Sequence, residues 1–286
     1  MEHTARARLQ IITSMAIFGT LAIFTRNISV SSGEIALYRA VMAAVLIGVY
    51  LLITKQPIPF KELGRELMLL FISGAAMGFN WILLFEAYKY TTVSLATLSY
   101  YFAPVIVTVM SPVLFREKLT KKQLICFVMS TVGLVLITGI GDLSGGANVR
   151  GIGFGLGAAC LYASVVLLNK SIKKVSGLHR TMLQFVAAVI VLTPYVLATD
   201  GINLVSLDGL GWGCLGVLGV VHTGICYCMY FSALKDLDGQ EAAILSYIDP
   251  LVAVIISVTV LHETMTMVQL LGGALILGFT IWNEKK

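Results

Sequence analysis

Ten long apolar runs alternate with short polar connections along this chain, at residues 8–26, 33–54, 66–88, 93–115, 121–140, 151–170, 179–198, 209–232, 240–261 and 266–283. Each approaches the roughly 20 apolar residues that a helix needs to cross a bilayer. The pattern predicts ten transmembrane helices and leaves no room for a separate soluble domain. Polar residues mark some of the ends. Thr120-Lys-Lys-Gln123 and Thr266-Met-Val-Gln269 both have the spacing of a capping box, in which hydroxyl and amide satisfy the free N–H groups of a first turn. They predict the starts of the fifth and tenth helices. Glu117 and Glu263 precede these caps, where a carboxylate would meet the N–H groups of the helix that follows.

The pattern is written twice. Between Gly78 and Leu124 each residue n has a counterpart at n+146 without a gap, and Gly78/Gly224, Phe85/Phe231, Lys89/Lys235, Tyr101/Tyr247, Pro104/Pro250 and Glu117/Glu263 are identical. Residues 1–145 and 146–286 therefore read as two five-helix repeats. An odd number of crossings turns the second copy over relative to the first, an architecture that places a transport site on the pseudo-two-fold axis. The expected fold is an all-α polytopic membrane protein with ten transmembrane helices in two inverted five-helix repeats.

Composition agrees. Hydrophobic residues make up 58% of the 286 positions and charged residues only 12%, against about 25% charged in soluble domains. Of the 20 lysines and arginines, 16 fall in the connections on the side of the N terminus, three (Arg26, Lys89 and Arg150) fall on the other side, and Arg39 alone lies within a span. Basic residues accumulate in cytoplasmic connections, so both termini are expected in the cytoplasm and the protein in the cell (inner) membrane. The net charge of +5 is thereby a topology signal, and no nucleic-acid partner is expected. Arg6 and Arg8 before an apolar run resemble a secretory leader, but that run is long and lacks a cleavage site, so it reads as the first permanent span. All five cysteines fall inside predicted spans, which suggests neither a disulfide framework nor a metal site, and no cofactor is expected. The glycines of spans six (Gly151, Gly153, Gly155, Gly157) and eight (Gly209, Gly213, Gly216, Gly219) read as small faces for close helix packing.

Polar side chains within spans are costly in hydrocarbon and so are candidates for function. Asp249 is the sharpest. One reading makes it a carboxylate that binds a cationic group or couples transport to protons; the other makes it the N-cap of a half-helix restarted at Pro250. Pro104 and Pro250 predict matching kinks, which makes them the expected hinge. Tyr100, Tyr101 and Tyr247 precede those kinks and offer flat faces and hydroxyls to a cavity. Asn80, Trp81 and Glu86 of span three, and Tyr227 of span eight, complete the candidate binding set. Glu86 with Arg39 is a candidate gate or ion pair, although the stem of Arg39 could instead snorkel outward. His222 is either a proton carrier or the partner of a buried neighbour.

The run from Phe85-Glu-Ala-Tyr-Lys89 through Pro104 to Glu117, repeated from Phe231-Ser-Ala-Leu-Lys235 through Pro250 to Glu263, resembles the EamA family of the drug/metabolite transporter superfamily over essentially the whole chain. The resemblance implies two inverted five-helix repeats around a cavity lined chiefly by spans three, four, eight and nine, and export or exchange of small metabolites. The expected function is that of a secondary transporter, without enzymatic activity, for a small metabolite such as an amino acid, nucleobase or amphipathic cation. Its expected partners are that substrate, the lipid bilayer and, as a candidate coupling ion, protons. The alternatives are a facilitative carrier and a non-transport intramembrane lipid-handling protein, for which no nucleophile elbow, H-E-x-x-H or paired carboxylates are present.

Overall fold

The computed structural model describes residues 2–58, 63–115, 120–138, 146–175, 177–233, 236–237, 242 and 245–284. These build α1 (Glu2–Gly19, resuming past Thr20 as Leu21–Thr25), α2 (Ser32–Ile53), α3 (Glu66–Tyr90), α4 (Val93–Tyr100, resuming as Ala103–Phe115) and α5 (Lys121–Thr138). The second half supplies α6 (Gly146–Ser171), α7 (Gly177–Thr199), α8 (Gly209–Gly216, a π-helical turn Val217–Ile225, then Cys226–Ala233), α9 (Ile248–Thr259) and α10 (Met267–Glu284). Among the described residues there is no strand, and seven of the helices are long and apolar enough to cross a membrane. The chain is a multi-pass all-α membrane protein.

The helix starts follow local chemistry. Thr120 and Thr266 accept from the N–H groups of Gln123 and Gln269 at 3.2 Å each, and both glutamines reach back to the threonine N–H groups at 2.8 and 2.9 Å. Both predicted capping boxes are therefore formed. A third, Ser31 with Glu34, opens α2. Glu34 is fully buried and also accepts from the Tyr38 hydroxyl at 2.9 Å and the Asn203 N–H at 2.5 Å, which pins the start of α2 to the α7–α8 connection. At the end of α7 the chain turns through Gly201 at φ 72°, a conformation that a Cβ would strain, and the Gly201 N–H returns to the Val196 carbonyl at 2.8 Å.

The packing is symmetric under exchange of the two halves. α3 packs on α6 and α7, while α8 packs correspondingly on α1 and α2; α4 packs on α6 while α9 packs on α1; and α2·α7, α4·α9 and α5·α10 pair across the exchange. The repeated glycines show why at atomic scale. A Cβ on Gly78 would lie 2.9 Å from Leu192, and one on Gly224 would lie 3.3 Å from the Cβ of Leu46, two leucines separated by the same offset of 146. In lipid no hydrophobic force draws helices together, so close backbone approach and dispersion must do so, and glycine permits it.

The glycine reading of the sequence holds in part. Cβ atoms on Gly151, Gly155 and Gly157 would press into Thr91, Ser99 and Leu83, and one on Gly219 into Met42. Cβ atoms on Gly153, Gly209, Gly213 and Gly216 would meet nothing within 4 Å among the described residues, so these four make no close helix contact there. Gly74 is tighter still, facing the Cα of Gln184 at 2.9 Å and the Cβ of Ala187 at 2.7 Å. Gly74→Val is expected to cost about 1–3 kcal/mol through overpacking against backbone, seen as a lowered midpoint by tryptophan fluorescence in detergent. Gly153→Val should leave that midpoint unmoved, and equal shifts in the two variants would contradict the packing argument.

Candidate functional site

Helices α4 and α9 are both interrupted, and at equivalent places. The first half of α4 ends at Tyr101 (φ −70°, ψ 5°), and α9 starts from Tyr247 (φ −72°, ψ −4°), its register partner. Pro104 and Pro250 fall in the first turn of the half-helices that follow, where a missing N–H costs nothing. The break therefore precedes each proline by about three residues, one turn earlier than a kink placed at the prolines themselves. This also corrects the capping alternative for Asp249. The residue flanking the helix is Tyr247, without a side-chain cap, and Asp249 lies inside the first turn. Residues 242 and 245–246 are helical ahead of the break, the half-helix after it is Ile248–Thr259, and Gln240 lies outside the described residues.

Around these breaks lies a cavity of about 470 Å³ lined by α1–α4 and α6–α9. Asp249 reaches into it and accepts from the Tyr101 hydroxyl at 2.6 Å. Tyr101 in turn stands at right angles to Tyr100 (5.7 Å between centroids), and Tyr100 leans on Tyr162 (5.5 Å). Tyr247, its register partner, faces Tyr101 at 6.1 Å. On the opposite wall Tyr227 meets Phe18 and Phe185 edge-on at 5.5 and 5.4 Å. The result is an aromatic box with hydroxyls at intervals.

Arg39 also lines this cavity. It is only 3% exposed, its guanidinium lies 4.4 Å over the Trp81 ring, and its Nε donates to Thr223 Oγ1 at 2.7 Å. It does not snorkel. Thr223 belongs to the π-helical turn of α8 and donates onward to the Leu218 carbonyl at 2.9 Å, so the irregular turn orients the guanidinium.

Trp81, Tyr100, Tyr101, Tyr227, Tyr247, Asp249, Arg39 and Pro104 thus border one space. Four other candidates stand elsewhere. Asn80 is buried and donates to the Ala158 carbonyl at 2.6 Å, tying α3 to α6. Glu86 pairs with Lys89 at 2.7 Å one turn along the same helix, so the expected pairing with Arg39 does not form. His222 is buried between Thr20 Oγ1 (2.8 Å from its Nε2) and the Val217 carbonyl (3.4 Å from its Nδ1), with Phe24 edge-on at 5.0 Å, and so bridges the interruption of α1 to the π-helical turn. Pro250 is buried beside the cavity without lining it.

Sequence reasoning passed over Tyr162, Tyr230, Asn169 and Gln184, which also line the cavity. Gln184 donates to Ser73 at 2.6 Å and to Asn169 at 2.8 Å. Its position among apolar residues in span seven was the available signal. The repeated glutamate was also misassigned. Glu263 does not cap α10; it accepts from the Val93 N–H at the start of α4 at 2.8 Å and from Ser257 at 2.5 Å, and it pairs with Arg26 at the end of α1. Glu117 lies outside the described residues.

A profile of the EamA-like transporter family matches residues 6–139 and again residues 149–283. The chain belongs to the EamA-like transporter family. Similar proteins include an uncharacterized transporter, YxxF, of Bacillus subtilis (28% identical over 95% of this chain and 89% of its own length) and an uncharacterized transporter of Archaeoglobus fulgidus (28%, 96% and 95%). Protein PecM of Dickeya dadantii is 27% identical over 82% of this chain and 78% of its own. A solved crystal structure superposes with a TM-score of 0.65 at 16% identity, covering 96% of both chains, and so shares the fold. As an EamA-like protein the chain is a transporter, and residues from both matched segments line the cavity.

Proposed function

We propose that this EamA-like protein is a secondary transporter of the cell (inner) membrane that exports or exchanges a small metabolite by alternating access. In this reading residues 1–145 and 146–286 are oppositely oriented copies that rock about the breaks before Pro104 and Pro250. The aromatic box of Trp81, Tyr100, Tyr101, Tyr227 and Tyr247 holds the cargo, and Asp249 carries the coupling proton. The observation that carries it is the cavity itself, bounded by two helices interrupted at register-equivalent tyrosines. Unsatisfied backbone at such breaks is tolerated in a membrane where it borders a water-filled site.

With both termini in the cytoplasm, Arg26, Val93 and Glu263 lie at the outer ends of α1, α4 and α9, and Glu263 ties the three together. The cavity lining reaches Asn169, Arg180 and Thr181 at the opposite, cytoplasmic ends of α6 and α7. The conformation is thus read as inward-facing, shut on the outside by Glu263.

Purified protein in sealed vesicles should give ligand-dependent flux above empty vesicles for at least one member of a panel of amino acids, nucleobases and organic cations. Chemical conversion of a panel member without flux would sink the transport reading in favour of an intramembrane enzyme. Flux that follows the substrate gradient and ignores an imposed pH gradient would favour the facilitative carrier.

A further inference from the structure

A second void, of about 10 Å³, lies between the second half of α4, α5 and α10. Thr108 of α4 borders both this void and the central cavity, so it stands in the wall between them. Two of the lining side chains carry a buried polar atom with no hydrogen-bond partner among the described residues: Oγ of Ser130 on α5 and Oδ1 of Asn283 on α10. Ser130 is fully buried. The other hydroxyls around the void are spent locally, since Thr108 donates to the Pro104 carbonyl at 2.9 Å and Thr280 to the Ile276 carbonyl at 2.6 Å, each four residues back on its own helix. Ser130 forgoes that bond. Asn283 donates its amide N–H to Thr108 at 2.9 Å and leaves its oxygen unmet.

The same joint in the other half of the molecule is dry. Carried on through α5 and α10, the offset of 146 pairs Thr108 with Val254, Ser130 with Ile276, Asn283 with Ile137 and Thr280 with Leu134. Those four apolar residues belong to one hydrophobic cluster, together with Leu95, Leu98 and Tyr247. The scaffold is thus satisfied by apolar side chains at this joint, and polar ones in the other copy need a reason. A buried polar atom without a partner carries its full desolvation cost. Two of them bordering one void point to a bound group between them.

The unmet groups are a hydroxyl, which donates and accepts, and an amide oxygen, which only accepts. A water molecule satisfies both at once, and a polar void of roughly 10–15 Å³ is what one water needs. A sodium ion would take lone pairs only and leave the Ser130 hydroxyl proton without an acceptor, and among the described residues no carboxylate lines the void to offset its charge. We infer that one water molecule is a fixed part of this protein, bound between α5 and α10, accepting from Ser130 Oγ and donating to Asn283 Oδ1. From Asn283 the hydrogen bonds run on through Thr108 to the Pro104 carbonyl. The water therefore ties the α5–α10 pair to the half-helix that follows the break in α4, where the counterpart behind α9 is held by dry contact alone.

The tests use the purified full chain. A crystal structure that resolves ordered solvent should show one peak within about 3.2 Å of both Ser130 Oγ and Asn283 Oδ1. A Ser130 hydroxyl turned onto the Cys126 carbonyl, with nothing bound in the void, overturns the inference. In thermal unfolding, Ser130→Ala and Asn283→Leu are each expected to lower the midpoint, because each leaves the other group unmet. The double variant should lose less than the sum of the two, since neither polar atom then remains. Additive losses would mean that the two groups share no ligand, and would overturn the inference as well. The midpoint of the unaltered protein should be the same in sodium chloride and in choline chloride at equal ionic strength. A midpoint raised by sodium in the parent but not in Ser130→Ala would put an ion in place of the water. Diffraction decides the matter even where a variant does not fold, and none of these readouts depends on flux, so this inference and the transport reading stand or fall separately.

Discussion

Asp249→Asn is expected to reduce pH-gradient-driven accumulation in proteoliposomes to the background of empty vesicles, while substrate counterflow survives at about tenfold lower affinity. The two effects separate because they use different properties of one side chain. Asparagine keeps an oxygen that the Tyr101 hydroxyl can reach, 2.6 Å away in the parent protein, so the local geometry and the break before α9 persist. It cannot release or accept a proton, so cargo binding and proton binding no longer exclude one another at that site. Exchange needs only binding and rocking; accumulation needs the coupling. Glu86→Gln is the comparison, because Glu86 is paired with Lys89 and does not border the cavity, and its driven accumulation should match the parent. Undiminished driven accumulation in Asp249→Asn would remove Asp249 as the coupling group.

Glu263→Ala is expected to open the cavity to the exterior. In the parent, one carboxylate satisfies the Arg26 guanidinium, the Ser257 hydroxyl and the Val93 N–H, and these groups belong to α1, α9 and α4, the three helices whose ends here part for outward release in the proposed cycle. Charge-assisted hydrogen bonds are worth about 1.5–3 kcal/mol each, so their loss should shift the inward-to-outward ratio at least about tenfold. Thr97 lines the cavity one turn into α4 from Val93, the outer end in the proposed orientation, which makes Thr97→Cys a suitable reporter. A membrane-impermeant maleimide applied from outside should label Thr97→Cys about tenfold faster with Glu263→Ala than without it, each corrected for the same protein lacking the reporter. Unchanged external labelling, or faster labelling only from the cytoplasmic side, would show that Glu263 does not hold the outer end closed.

Much of this molecule was readable from local pattern. Capping boxes at Thr120 and Thr266 formed as expected because they involve residues three apart on one turn. The spans appeared because burial in lipid demands long apolar helices, whose length and composition are written contiguously. The Glu263 assignment failed for the opposite reason. Its nearest free N–H groups in sequence belong to α10, but those are satisfied by Thr266 and Gln269, and its actual partners on α1 and α4 are 237 and 170 residues away. Asn80 and Asp249 likewise look alike in sequence as polar residues in apolar spans, and only packing separates them: Asn80 meets a carbonyl of α6, while Asp249 meets a tyrosine at the edge of a cavity.

By itself, the sequence determined that this is a helical membrane protein, with a repeat at an offset of 146. Those properties follow from hydrophobic periodicity and solvation, which act residue by residue and need no knowledge of neighbours. Tertiary structure alone decided which polar groups would be spent on holding helices together and which would face the cavity. That choice depends on what stands opposite each side chain once the helices are packed. It leaves Arg39 buried with its Nε on Thr223, and Asp249 half-buried at the cavity on the Tyr101 hydroxyl, among the described residues.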